Sequence, residues 1–304
     1  MNRKNSLAGN IMLALCAIIW GSSFVSQSTG AKFIGPFTFI AFRSLLGCIS
    51  LLPVIPVMDL VKKKKAPLKK PDKAQKKYFL LSSLACGVML SVASLLQQFG
   101  IDHGTSSGKA GFITALYILL VPIFSIALKK KIRPIIWPCV VIALTGLYLL
   151  CVTDNSIQPS DFYILACAFT YAAHILIVDH VSPHVDGVRL SCAQFFIAGI
   201  ISSVPMLLFE DVSFELIKAA APSLAYSGIM SSGVAYTLQI LGQQRTEPTV
   251  ASMLMSLESV FAMLTGMLVL HEIPSPREAI GCVLMFIAII VAQLPEKKKL
   301  KAAE

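Results

Sequence analysis

Two ionisable side chains, Arg43 and Glu258, sit deep within long apolar stretches of this 304-residue chain. A charge in such a setting is costly, and it persists where it pairs, holds an ion or solute, or relays a proton. Arg43 lies seven residues into the apolar stretch 36–58, and Glu258 about eleven residues into the stretch 247–270. If both stretches are helices crossing a bilayer in opposite directions, these positions lie roughly 10 Å and 16 Å from opposite faces at about 1.5 Å of rise per residue. In a hydrocarbon core ~30 Å thick the two then share nearly the same depth, near enough to pair. One reading is a site in which Arg43 holds an anionic group and Glu258 a cation or a proton. The other is a structural ion pair, or an arginine bonded to carbonyls, that ties helices together.

Further polar groups fall in the same kind of apolar surroundings. His174 has the residue type for a proton relay, or it bonds to a neighbouring helix. Gln97, Gln98, Gln194 and Gln239 bring amides that both donate and accept, suited to lining a polar path or to bonding between helices. Trp20, Tyr117, Tyr171 and Tyr236 either form aromatic walls for a solute or simply pack. No catalytic residue is indicated. The chain has no H-E-x-x-H, no G-x-S-x-G and no phosphate-binding glycine loop, and no loop is large enough to fold as an ATPase domain. Its eight cysteines all fall in apolar stretches, with no C-x-x-C and no Cys/His cluster, so neither a metal site nor a disulfide framework is expected. No cofactor is expected either.

The elements that must position these groups are membrane spans. The chain is 56% hydrophobic and only 14% charged, with a mean hydropathy of +0.75. Apolar stretches long enough to cross a bilayer recur throughout. They predict an all-α integral membrane protein with ten transmembrane helices: 9–29, 36–58, 78–99, 108–128, 135–152, 160–179, 188–208, 219–242, 247–270 and 276–294. Pro53, Pro122 and Pro205 fall inside spans as candidate kinks. The first stretch has no cleavage site and reads as a retained helix. With the N-terminus inside, the tails and the loops on that side carry 21 lysines and arginines, nine of them in the 59–77 loop, against four on the other side. This asymmetry predicts cytoplasmic N- and C-termini in a cell membrane. It also accounts for the net charge of +10, so the expected partners are the lipid bilayer and a small-molecule metabolite, with no nucleic acid. A homodimer remains open.

The chain also repeats weakly. A shift of 151 places Cys16-Ala17 on Cys167-Ala168, Trp20 on Tyr171 and Arg43 on Gln194; a shift of 142 places Leu96-Gln97 on Leu238-Gln239 and Gly100 on Gly242; a shift of 143 places Cys139-Val140 on Cys282-Val283. Two five-helix units are expected, at 9–152 and 160–294. An odd number of spans reverses orientation on duplication, so the repeats would be inverted, a design that places a solute site near the midplane of secondary transporters.

Several segments resemble the drug/metabolite transporter superfamily, in its EamA-like transporter branch. They are Trp20-Gly21-Ser22-Ser23-Phe24-Val25, Arg43 within Phe42-Arg43-Ser44, the run Gly108 to Thr114 followed by Val121-Pro122, and Ser256-Leu257-Glu258-Ser259 with His271-Glu272. Ser259 stands where that family usually has proline. The resemblance implies a ten-helix carrier of small metabolites, often an efflux protein, in a bacterial cytoplasmic membrane. The expected function is therefore secondary transport of a small metabolite such as an amino acid, as exporter or exchanger, by alternating access. The rival expectations are a lipid-modifying membrane enzyme, for which His174 and Glu258 are too sparse a set, and a non-transporting sensor or assembly factor that uses the 59–77 loop.

Overall fold

The computed structural model describes residues 3–63, 71–105, 107–152, 157–270 and 275–294. The centre of the 59–77 loop, His271-Glu272 and the C-terminal lysines lie outside them. Among the described residues every regular element is helical. In chain order they are α1 (Arg3–Gly30), α2 (Pro36–Leu51), α3 (Val54–Lys63), α4 (Lys73–Asp102), α5 (Ser107–Ala115), α6 (Tyr117–Ala127), α7 (Ile136–Cys151) and α8 (Pro159–Val181). After a short 3-10 turn at Ser182–His184 come α9 (Gly187–Phe209), α10 (Phe214–Ala225), a π-helical segment Tyr226–Ala235, α11 (Tyr236–Gln243), α12 (Pro248–Met255), α13 (Glu258–Leu270) and α14 (Pro276–Ala292).

Local chemistry sets the boundaries. Asp72 and Gln75 form a reciprocal capping box at the start of α4, and Ser275 and Glu278 form one at the start of α14. Proline occupies the first turn of α2, α8, α12 and α14, where its missing N–H has no helical partner to lose. Glu210 caps α2 across space, accepting from the Phe37 and Thr38 amides at 2.9 and 2.7 Å and from the Thr38 hydroxyl at 2.6 Å. A carboxylate there also faces the positive end of the helix dipole. Of the three candidate kinks, only Pro53 lies at a break, the turn between α2 and α3; Pro122 and Pro205 lie within α6 and α9.

Seven of the ten expected spans meet the length and hydropathy of a bilayer crossing among the described residues, and Ile136–Cys151 is apolar but shorter. The eighth and tenth positions carry helix as well, at Phe214–Gln243, where π winding interrupts the α-helix, and at Pro276–Ala292. Two expected spans are broken midway: α5 gives way to α6 at Leu116, and α12 to α13 at Ser256-Leu257.

The exterior is apolar and the interior polar. Leu80, Phe196, Leu207, Phe209, Phe214 and Ile290 are all more than half exposed, while Gln27, Gln97, Gln98, Gln194, Gln239 and Gln243 are buried. That inversion suits a lipid surround and would be unfavourable in water. Helix α2 lies along α9, and α7 along α14. Helix α4 packs on α8 and α9, while Phe214–Gln243 packs on α1 and α2. Helices α5 and α6 rest on α8, as α12 and α13 rest on α1. One end of the bundle gathers Asn10, Arg133, Thr246, Glu247 and Gln293 in bonded contact, together with the Lys130–Asp179 pair at 2.6 Å and the Arg189–Asp59 pair at 2.5 Å. The Lys109–Asp161 pair, at 2.5 Å, closes the opposite end. Lys130, Arg133 and Arg189, from two of the segments expected to share a face, lie at one end among the described residues.

The α7–α14 crossing depends on two glycines. A Cβ on Gly146 would meet the Gly281 carbonyl oxygen at 2.7 Å, and one on Gly281 would meet the Gly146 carbonyl oxygen at 2.6 Å. Backbone is the obstacle in both directions, so no rotamer change relieves it. Gly281→Leu is expected to destabilise the protein by about 1–3 kcal/mol through overpacking, and Gly281→Ala by less. Thermal unfolding in detergent checks this; an unchanged midpoint for Gly281→Leu would show that the two helices separate freely.

Candidate functional site

One face of α1 presents Trp20, Ser23, Phe24 and Gln27 to a central cavity, at the i, i+3, i+4, i+7 spacing of a single helix face. Opposite them stand Arg43 from α2, Gln97 from α4, and Thr114 and Tyr117 from either side of the α5–α6 break. Tyr171 and Ile175 come from α8, Ser231 from the π segment, Tyr236 and Gln239 from α11, and Glu258 opens α13. The cavity holds about 30 Å³, room for a water or a bare ion and not for a metabolite.

Arg43, 4% exposed, is held by neutral groups on two other elements. Its Nη1 donates to Gln27 Oε1 at 3.2 Å, Nη2 to Ser231 Oγ at 3.2 Å and Nε to Ser232 Oγ at 3.3 Å. The planar guanidinium is suited to such divergent partners. Glu258, also 4% exposed, accepts from the Tyr117 hydroxyl at 3.2 Å. Tyr117 and Glu258 are the first residues of α6 and α13, so this bond joins the two broken helices at their breaks. Gly21 lets α1 lie against the second break: a Cβ there would meet the Glu258 carbonyl oxygen at 2.5 Å and the Ala262 nitrogen at 2.7 Å. Among the described residues no hydrogen bond or ion pair links Arg43 to Glu258, which corrects the pairing that equal depth suggested. Depth along two helices says nothing of their lateral separation, and each group meets nearer neutral partners.

The aromatic wall is bonded as well as stacked. The Trp20 and Tyr236 rings lie 4.6 Å apart between centroids, and the Tyr171 and Tyr236 hydroxyls are 3.0 Å apart. Gln97 donates to the Thr114 hydroxyl at 3.1 Å. Trp20 Nε1, Ser23 Oγ and Gln239 Oε1 are buried at the cavity without a protein hydrogen-bond partner. Such atoms are expensive to leave unmatched.

Eight of the eleven residues selected from sequence thus line this cavity: Arg43, Glu258, Trp20, Gln97, Tyr117, Tyr171, Tyr236 and Gln239. Gln98, His174 and Gln194 do not. Gln98 turns to the Gln27 carbonyl at 3.5 Å, and His174 Nε2 bonds Gln194 Oε1 on α9 at 3.1 Å. Ser23, Phe24, Gln27, Thr114, Ile175 and Ser231 went unselected. Gln27 carried a signal, being seven residues beyond Trp20 on the same face. Ser231 read as a packing residue because it neighbours Ser232 and Gly233.

A family model, the EamA-like transporter family, matches residues 7–152 and again 158–293. The chain is 29% identical to an uncharacterized transporter of Archaeoglobus fulgidus over 295 residues, covering 95% of this chain and 86% of that one. It is 25% identical to the uncharacterized transporter YwfM of Bacillus subtilis, over 98% of both chains. It is 22% identical to the uncharacterized transporter YoaV of the same organism, over 92% of this chain and 96% of that one. A solved crystal structure superposes with a TM-score of 0.74 over 96% of this chain and 97% of the other, at 17% identity; at that identity the likeness shows the fold alone.

Tyr117→Phe keeps the ring and removes the hydroxyl that donates to Glu258. The expected loss is about 1–3 kcal/mol, the cost of a buried acceptor left unmatched, read as a lowered unfolding midpoint. Arg43→Lys keeps the charge but cannot span Gln27, Ser231 and Ser232 at once, and it should also lower the midpoint. A midpoint equal to the parent protein in either variant would show that the bond in question holds nothing in place.

Proposed function

Because the chain belongs to the EamA-like transporter family, we propose that it is a secondary transporter, an exporter or exchanger, of a small metabolite carrying both charges, such as an amino acid. The observation that carries this reading is the central cavity. It is lined by a buried arginine and a buried glutamate that do not pair with each other, by aromatic side chains, and by three unmatched polar atoms. Arg43 would take the anionic group of the solute; Glu258 would take its cationic group, or a proton or metal cation exchanged for it. Aromatic faces attract cations as well.

The mechanism proposed is alternating access by ten spans in two inverted five-helix repeats, 9–152 and 160–294. Three features support it. The family model matches the chain twice in succession. The packing contacts come in counterpart pairs, with α4 on α8 and α9 as Phe214–Gln243 is on α1 and α2. The breaks at Leu116 and at Ser256-Leu257 fall at corresponding places in the two halves, and interrupted helices at mid-membrane are where transporters of this design bind solutes. The end that gathers Arg133, Arg189 and Arg245 is assigned to the cytoplasm of the cell membrane, with both termini there. A cavity of about 30 Å³ must widen toward one end at a time to pass a metabolite. The energy for this transport would come from the solute gradient, an exchanged solute or an ion gradient.

Purified protein in liposomes loaded with a metabolite panel tests this. At least one solute is expected to show counterflow, reduced tenfold or more in Glu258→Gln and in Arg43→Gln and retained in Leu207→Ala, whose side chain is 73% exposed on the outer surface. Folded protein that moves no solute in either direction would sink the proposal.

A further inference from the structure

A second cavity lies on the outer surface, away from the central one. It is a groove of about 660 Å³ between the C-terminal halves of α6 and α8. Phe124, Ala127 and Leu128 line it from α6, and Ala173, Leu176 and Ile177 from α8. Each set follows the i, i+3, i+4 spacing of one helix face. The Phe124 and Phe169 rings, 6.2 Å apart, stand beside it on the same two helices.

The mouth of the groove is basic. Lys130 and His180 border it, and Lys129 and Lys131 flank Lys130 in the turn that ends α6. Lys129 adopts φ +59°, a left-handed position usually given to glycine at a helix C-terminus. The turn is fixed by the Lys129 amide on the Ile126 carbonyl at 2.8 Å and the Lys130 amide on the Ser125 carbonyl at 2.9 Å. Acidic groups stand beside this turn. Asp179 pairs with Lys130 at 2.6 Å, and Glu247 lies 3.7 Å from Arg133, whose guanidinium also donates to the Ala292 and Leu294 carbonyls. Lys129 and Lys131 are exposed and make no side-chain hydrogen bond or ion pair among the described residues.

We propose that this groove binds one anionic phospholipid of the surrounding bilayer, an acyl chain lying along the apolar floor between α6 and α8 and the phosphate held by Lys129, Lys131 and His180. The groove supplies room for a chain, the membrane supplies the chain, and the excess of cations over Asp179 and Glu247 selects an anionic headgroup over a zwitterionic one. Helices α6 and α8 also carry Tyr117, Tyr171 and Ile175 into the central cavity on their other faces, so the lipid would rest against two walls of that cavity. The site stands whether or not the chain transports the solute class proposed above.

Native mass spectrometry of the full chain, released from micelles containing equal phosphatidylglycerol and phosphatidylcholine, tests it. One phosphatidylglycerol is expected to be retained, about tenfold in excess over phosphatidylcholine. The double variant Lys129→Gln/Lys131→Gln should lose that preference, at several-fold per lysine. Ala173→Phe, which fills the floor, should reduce retention of both lipids; Ala127→Leu, at an exposed position of the same floor, serves if Ala173→Phe fails to fold. Equal retention of the two lipids by the parent protein would overturn the proposal. So would a phosphatidylglycerol preference untouched by filling the groove, which would mark surface charge without a site.

Discussion

The guanidinium of Arg43 organises the middle of this molecule. It is buried, and its hydrogen-bond partners are all neutral. A buried charge without a counter-ion needs well-placed dipoles, and those dipoles come from α1 and the π segment. Ser231 and Ser232 are adjacent in sequence yet both reach the same side chain. The π winding of Tyr226–Ala235 accompanies that convergence, and π turns of this kind recur at functional positions. The same three bonds hold α2 to α1 and to the π segment, so the interior is built around a cation that pairs with no acid among the described residues.

The second constraint is the bilayer's demand that backbone groups be satisfied within each span. Breaks in a span are tolerated only inside the protein or beside a polar cavity, and both mid-span breaks here are so placed. Tyr117 begins α6 and Glu258 begins α13, and their side chains bond across the cavity. Glycine at position 21 lets α1 seat against the second break. Polarity, broken helices and cavity are one feature with a common physical origin.

The spans and their polar residues were legible in the sequence because hydropathy and rarity of charge mark them directly. Rotation about a helix axis was not. Gln97 and Gln98 are neighbours of identical chemistry, yet Gln97 faces the cavity while Gln98 turns to a carbonyl of α1. In the sequence the weak repeat alone separates them, placing Gln97 on Gln239 and Gln98 on Ile240. Arg43 and Glu258 fell at one depth, but depth does not fix lateral distance. The π segment was hidden for a related reason, since Gly228, Ser231, Ser232 and Gly233 read equally well as residues for close helix packing. Proline was a poor guide to the mid-span breaks: both, at Leu116 and at Ser256-Leu257, fall where no proline stands.

Helix α8 is fastened at both ends to the span formed by α5 and α6, by Lys109–Asp161 at one end and Lys130–Asp179 at the other. The two fastenings differ in burial. Lys109 and Asp161 are 16% and 9% exposed, whereas Lys130 and Asp179 are 39% and 18% exposed. A screened surface pair is worth about 0–1 kcal/mol, so the Lys130 end resists separation weakly. The more buried pair is costlier to break, because each partner would then need another or water. Helix α8 is therefore held to the α5–α6 span at both ends, more firmly by the Lys109–Asp161 pair.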